Sequence, residues 1–288
     1  MNILGTGLSG LVGSRVVELL PQYSFENLSL ETGVDITDKK SVDSYFTHSK
    51  APWVFHLAAY TDVQGAEKEK SLDEESSAWK VNVAATEHII DNCKRYQKHL
   101  LYIDTDYAFD GTKKEYTEND APNPLGWYAK TKYEGAKRVL AMEHLGLVIR
   151  IANPYRAHPV GKKDFVHKML ERLKSGQTVI GATDQLFSPT FIDDIATVID
   201  VLVGRDAFGL YHAVGGNALS PFDAASTIAD VFGCDKKLVI STTFARMFEN
   251  RAPTPQFAYL KNDKISKLGV IMRTFHDGLE AVKRLEIV

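Results

Sequence analysis

The segment that most restricts the fold is Gly5-Thr6-Gly7-Leu8-Ser9-Gly10-Leu11-Val12-Gly13, which follows the short apolar run Asn2-Ile3-Leu4 and opens an amphipathic stretch closed by Pro21. Gly7 and Gly10 let the chain turn sharply out of a strand and bring its backbone close to a pyrophosphate, and Gly13 lets a helix sit tightly on that strand. The helix start points unpaired amides at the turn, where negative charge is favoured. A flexible glycine loop is the alternative reading. Strand and helix on either side argue against it.

The rest of the chain repeats this unit. Asn27 to Glu31 reads as a second strand, and Pro52 to Leu57, ending at Ala58-Ala59, as a strand buried on both faces. Leu100 to Ile103 reads as a fourth strand with Thr105 at its C-terminal end, and Leu147 to Ile151 as a fifth. A long helix carrying Val81, Val83, Ile89 and Ile90 lies between the third and fourth. This alternation predicts an α/β fold, a Rossmann-type doubly wound parallel sheet. Beyond Pro154 the alternation weakens: 162–174, 193–203, 221–232 and 276–286 look helical, with strand-like pieces such as Leu210-Tyr211-His212-Ala213 between them. The expected organisation is an NAD(P)-binding Rossmann domain over 1–155 plus roughly 177–205, with a smaller mixed α/β C-terminal substrate lobe over roughly 156–176 and 206–288.

Composition narrows the partners. Of 288 residues 44% are hydrophobic and 25% charged, with 34 basic against 37 acidic side chains, a net charge of -3. That balance gives no electrostatic footprint for nucleic acid or a membrane surface. No secretory signal or membrane-spanning run is read, so a cytoplasmic protein is expected, with Cys93 and Cys234 reduced. His56 in a buried-looking strand and His158 in a loop have no neighbouring ligands, so no metal site is expected.

The chemistry gathers around Tyr128-Ala129-Lys130-Thr131-Lys132. On a helix over 125–145, Tyr128 and Lys132 stand at i and i+4 on one face. Free tyrosine, with a pKa of about 10, exchanges protons poorly at neutral pH. An ammonium about 4 Å away at an effective dielectric near 20 is worth roughly 4 kcal/mol, about three pK units in favour of phenolate. The spacing therefore predicts a tyrosine that exchanges protons near neutrality, although the pentapeptide alone is also common helix decoration.

The remaining candidates concern the nucleotide. Glu31, at the expected end of the second strand, can accept hydrogen bonds from an adenosine ribose and would repel a 2′-phosphate, which favours NADH over NADPH. It reads equally as a solvated strand end. Asp35-Ile36-Thr37-Asp38 either sets a carboxylate against an adenine edge or caps a helix over 39–48 through Thr37 or Asp38.

With the glycine loop, Ala58-Ala59-Tyr60-Thr61, Thr105 and the Tyr128/Lys132 pair in order, the chain resembles the extended short-chain dehydrogenase/reductases, most of all their dTDP-4-dehydrorhamnose reductase family. Further echoes are Asp104-Thr105-Asp106-Tyr107-Ala108-Phe109, Asp184-Gln185 with Ser188-Pro189-Thr190, and Gly209-Leu210-Tyr211-His212. The resemblance implies a catalytic set of Thr105, Tyr128 and Lys132, and a pyrophosphate held by Gly7, Gly10, Leu11, Val12 and Gly13. It further implies that Asp35 and Ile36 meet the adenine, that the segment of Ala58, Ala59, Tyr60 and Thr61 lines the path to the nicotinamide, and that Asp106 and Asn153 contact substrate. By the same resemblance the expected activity is NAD(P)H-dependent reduction of a nucleotide-linked 4-ketosugar, with a homodimer as the assembly.

The chain departs from that family at Asp104, usually serine, and at Asn153, usually aromatic, which leaves the sugar open. Related dehydratases carry adjacent Asp and Glu after the threonine, whereas Tyr107 follows Asp106 here, which argues against elimination. Two alternatives stand: an NAD-dependent nucleotide-sugar epimerase, suggested by Asn153-Pro154-Tyr155, and a non-catalytic cofactor-binding subunit like the regulatory subunit of methionine adenosyltransferase.

Overall fold

A computed structural model describes residues 1–287. Strands β1 (Asn2–Thr6), β2 (Ser24–Leu28), β3 (Trp53–His56), β4 (His99–Thr105), β5 (Gly146–Ile151) and β6 (Gly209–His212) form one six-stranded sheet in the order β6-β5-β4-β3-β1-β2, every pair parallel. Within the strands, neighbouring apolar residues go to opposite faces. Ile3, Phe55, Leu101 and Ile149 enter one core, where helices α1 (Leu11–Leu19) and Ile192–Val203 pack. Leu4, Val54, Leu100 and Val148 enter the other, under helices α2 (Lys39–His48), α3 (Ala85–Tyr96) and α4 (Trp127–Leu140). Burial on both faces is why these strands read as continuous apolar runs.

The chain reverses its direction of travel across the sheet between β1 and β3. In open parallel sheets the crevice at such a switch, outside the carboxyl ends of the strands, receives the ligand. Here the two loops at the switch are the Gly7 turn and the Ala58 segment.

A second core gathers Tyr155, Val166, Leu170, Phe187, Phe191, Ile228, Phe275 and Leu279. Three small parallel pairs support it: Val179–Ala182 with Val239–Thr242, Leu186–Phe187 with Phe257–Ala258, and Pro154–Tyr155 with Thr190–Phe191.

Several boundaries differ from expectation. Strand β2 stops at Leu28, because Ser29 opens a 3-10 turn over Leu30–Thr32 through a reciprocal Ser29/Thr32 capping box and Gly33 closes it at φ +81°. Glu31 thus sits in that turn and not at a strand end. Gly209–His212, assigned to the lobe by pattern, is the sixth strand of the main sheet. Conversely Val179–Ala182, assigned to the Rossmann domain, belongs to the lobe, where the helix Pro221–Val231 packs so closely that a Cβ at Gly181 would lie 2.5 Å from the Phe222 Cα. The long helix before β4 is broken by a π-helical segment at Lys80–Ala84. Among the described residues no helix is long and apolar enough to cross a membrane.

Candidate active site

At the carboxyl end of β4, Thr105 caps a single 3-10 turn, Asp106–Ala108, by accepting from the Tyr107 amide at 3.3 Å. Its hydroxyl donates to Asp106 Oδ1 at 3.0 Å. Helix α4 starts beside this turn, with the Trp127 amide donating to Glu67 Oε2 at 2.9 Å. Tyr128 and Lys132, one helical turn apart, therefore share a face toward β4, while Lys130 is exposed. Lys132 is buried, donates from Nζ to the Ile103 carbonyl at 2.6 Å and lies 4.0 Å from the centroid of the Tyr102 ring. The Tyr107 ring meets the Tyr128 ring edge-on with centroids 6.1 Å apart.

Thr105, Asp106, Tyr107, Tyr128 and Lys132 line one cavity of about 770 Å³. The same cavity is lined by Gly7, Gly10, Leu11, Val12, Gly13, Ala58, Ala59, Thr61 and Asn153. The glycine turn is built for close approach. Gly7 has φ +68°, and a Cβ there would lie 2.5 Å from the Ala58 nitrogen. A Cβ at Gly13 would lie 2.2 Å from the Gly7 carbonyl oxygen. Gly10 caps α1 with no side chain accepting the first amides, so these donors are free for an anion. The cradle and its donors fit a dinucleotide pyrophosphate. Gly13→Ala is accordingly expected to push the turn outward and weaken nucleotide binding by about tenfold or more, a loss of at least about 1.4 kcal/mol. Fluorescence titration of the purified variant measures it, and unchanged affinity would remove the turn's role.

Four predicted residues lie outside the cavity lining. Glu31 is exposed in its 3-10 turn. Asp35 accepts from the Thr37 amide and hydroxyl at 2.9 and 2.7 Å, forming an Asx turn, and Ile36 uses its carbonyl for the His88 Nδ1 contact at 3.2 Å. Asp38, not Thr37, caps α2. Tyr60 is held by its backbone: its amide donates to Asn82 Oδ1 at 2.9 Å, and Asn82 Nδ2 donates back to its carbonyl at 3.2 Å.

The electrostatics correct one expectation. Lys132 does not lower the Tyr128 pKa: burial pushes this phenol well above 10, an effect only partly opposed by hydrogen bonding with Thr105, and Asp106 and Asp104 add to the rise. The ammonium is instead engaged with the Ile103 carbonyl and the Tyr102 ring, and burial lowers Lys132 to about 8 despite the nearby Asp104. In this state Tyr128 is a neutral phenol.

Sequence reasoning also missed several groups. Arg150 on β5 is fully buried and its Nε donates to Asp104 Oδ2 at 2.7 Å, across the register that pairs the two residues. A lone arginine inside the apolar run Leu147 to Ile151, opposite an aspartate in the adjacent strand, was the available signal. Lys162, Lys163 and Lys168 line the cavity from the loop and helix α5 (Phe165–Lys174) beyond β5. Asn153, which also lines it, holds φ +41°, a left-handed conformation asparagine tolerates better than an aromatic residue does. The His56 ring contacts Thr6 Oγ1 at 2.7 Å and Thr86 Oγ1 at 3.0 Å, and burial lowers it to about 3. Among the described residues no group of metal-ligating side chains assembles.

A parallel doubly wound sheet, a glycine cradle at its switch point and a threonine, tyrosine and lysine facing the same cavity define an NAD(P)-dependent oxidoreductase of the extended short-chain dehydrogenase/reductase type. The model of the RmlD substrate binding domain matches residues 1–286, and the chain belongs to that family. It is 33% identical over 238 residues to the dTDP-4-dehydrorhamnose reductase of Aggregatibacter actinomycetemcomitans, covering 79% of this chain and 78% of that protein. It is 30% identical to the enzyme of the same name from Mycobacterium tuberculosis, covering 92% and 86%. The crystal structure of dTDP-4-dehydrorhamnose reductase from Bacillus anthracis in complex with NADP superposes with a TM-score of 0.89 at 25% identity, covering 99% of each chain.

Proposed function

We propose that this protein reduces the ketone of a nucleotide-linked 4-ketosugar, using NAD(P)H. The observation that carries the reading is the single cavity shared by the glycine cradle and by Thr105, Tyr128 and Lys132. NAD(P)H, when bound, supplies the hydride. Tyr128 donates its phenolic proton to the forming alkoxide, and Thr105 hydrogen-bonds the same oxygen. Lys132, at the same end of the cavity, would hold the nicotinamide ribose. A phenol held neutral by burial suits reduction, where the side chain must give up a proton, better than oxidation, where it must take one. Lys162, Lys163 and Lys168 around the cavity suit the diphosphate of the substrate. Asp106 and Asn153 are the proposed sugar contacts.

For the nucleotide, the proposal is NADH over NADPH. It rests on the carboxylates of Glu31 and Asp35, both exposed beyond β2, which oppose a 2′-phosphate. The relative from Bacillus anthracis holds NADP, so this chain's own preference needs direct titration. A cytoplasmic homodimer that binds no nucleic acid completes the reading, with sedimentation as the check on assembly.

The test mixes purified protein with NADH or NADPH and a panel of nucleotide-linked 4-ketosugars, following loss of reduced-nicotinamide absorbance. Oxidation with at least one sugar, and tighter binding of NADH, are expected. Tight nucleotide binding with no oxidation by any sugar overturns the reductase. Protein that purifies with bound NAD and interconverts sugars without net oxidation points to an epimerase.

A further inference from the structure

We propose that Glu67 is a positioning residue for Tyr128: its carboxylate holds the first turn of α4 and thereby sets where the phenol stands. The inference rests on the reductase reading, in which Tyr128 is the proton donor, and adds a group that touches neither nucleotide nor sugar.

Tyr128 is the second residue of its helix. Helix ends lose order first, because their leading amides have no acceptor within the helix. In α4 the earliest internal bond runs from the Lys130 amide to the Gly126 carbonyl at 3.0 Å, so the amides of Trp127, Tyr128 and Ala129 all precede it. Gly126, at the cap, offers no side-chain acceptor. A Cβ there would lie 3.1 Å from the Pro253 carbonyl oxygen, so position 126 has little room for a capping side chain of its own. The order of this turn therefore depends on a group from elsewhere.

Glu67 supplies the acceptor. Its Oε2 takes the Trp127 amide at 2.9 Å while Lys70 Nζ donates to Oε1 at 2.8 Å, so both carboxylate oxygens are fixed and the side chain is 18% exposed. A carboxylate at this end also meets the positive pole of the helix. The Trp127 ring is gripped separately: its Nε1 donates to Ser76 Oγ at 2.8 Å and it stacks on Trp79 with centroids 5.9 Å apart. With the ring anchored, losing Glu67 loosens the backbone of one turn and leaves the helix in place.

The position of Glu67 in the chain links two walls of the cavity. It lies on the short helix Val63–Lys68, capped by Asp62 accepting from the Gly65 amide at 3.0 Å, and both Val63 and the preceding Thr61 line the cavity. One element thus joins the segment proposed to line the nicotinamide path to the turn that carries the acid. Hydride and proton must reach the carbon and oxygen of one carbonyl from these two sides, and a misplacement of about 1 Å between them costs on the order of 10²-fold in rate. Lys132, one turn further on, has its own bond to the Ile103 carbonyl. Loss of the cap should therefore act on Tyr128 and spare Lys132.

The test compares Glu67→Ala with Glu67→Gln in the full-length protein. Glutamine keeps an oxygen to accept from the Trp127 amide, and alanine keeps none. Alanine is expected to lower kcat for ketosugar reduction about tenfold or more, with the sugar KM and the nucleotide affinity within about threefold of wild type. Glutamine should restore most of kcat. A residue that only stabilised the fold would lower the urea midpoint and leave kcat of the folded protein intact. Hydrogen exchange needs no turnover: in the alanine variant the amides of 127–129 should exchange faster, while those of 137–140 should not. Unchanged kcat in Glu67→Ala, an equal loss in Glu67→Gln, or unchanged exchange over 127–129 each overturns the role. If wild type reduces ketosugars and the alanine variant matches it, only the positioning fails. If wild type oxidises nucleotide with no sugar, the reductase reading fails first, and amide exchange alone still decides whether Glu67 holds the Tyr128 turn.

Discussion

Tyr128→Phe is expected to lower kcat for ketosugar reduction on the order of 10²–10⁴-fold, the range that loss of a positioned general acid produces. The KM for the sugar and the affinity for nucleotide should stay within about threefold, because the ring that packs against Tyr107 is retained and only the proton is removed. Steady-state kinetics with NAD(P)H and the accepted substrate separate the two parameters. A variant that reduced substrate as fast as wild type would take Tyr128 out of the mechanism. A variant that lost only affinity would make it a binding group. The pH behaviour follows from the same burial. Since the folded protein raises the phenol above its ordinary value, Tyr128 remains protonated throughout the neutral and mildly alkaline range. Any fall in the forward rate between about pH 6 and pH 9 then belongs to a neighbour and not to the acid itself. Thr105→Val keeps Tyr128 and removes only the hydrogen bond proposed to reach the alkoxide, so its effect should be smaller.

What the sequence made legible was local and periodic. The glycine turn, the five apolar runs of the first half and the i, i+4 spacing of Tyr128 and Lys132 each follow from geometry that a single element imposes on its own residues. What it hid was relational. Glu31 seemed to end a strand because apolar pattern alone does not register the Ser29/Thr32 capping box that stops β2 three residues earlier. Gly209–His212 looked like lobe because its place beside β5 is decided by a crossover, not by its own composition. The direction of the Tyr128 shift is hidden for the same kind of reason. Spacing brings an ammonium to the right helical face, but the Ile103 carbonyl decides where that ammonium points, and burial then outweighs it.

The buried ion pair beneath the site gives the second large effect: Arg150→Met is expected to destabilise the fold by about 3–5 kcal/mol, the cost of leaving a buried charge without its partner. Arg150 and Asp104 are each 1% exposed, joined by Nε to Oδ2 at 2.7 Å, with the guanidinium also 5.0 Å from the Phe109 ring centroid. Methionine fills much of the aliphatic volume but strands the Asp104 carboxylate, whose Oδ1 already lacks a partner. Asp104→Ser should be destabilising too, because it strands the arginine. The double variant Asp104→Ser with Arg150→Met removes both charges and should recover much of the loss, since replacing a buried pair outright is often near neutral. Urea midpoints at unchanged slope read all three. Single variants that cost less than about 1 kcal/mol would mean that water already reaches and solvates the pair. The same cycle bears on catalysis, because Asp104 immediately precedes Thr105 and supports the charge on Lys132. The double variant should therefore regain stability without regaining the full wild-type pH profile, a separation that stability alone cannot produce.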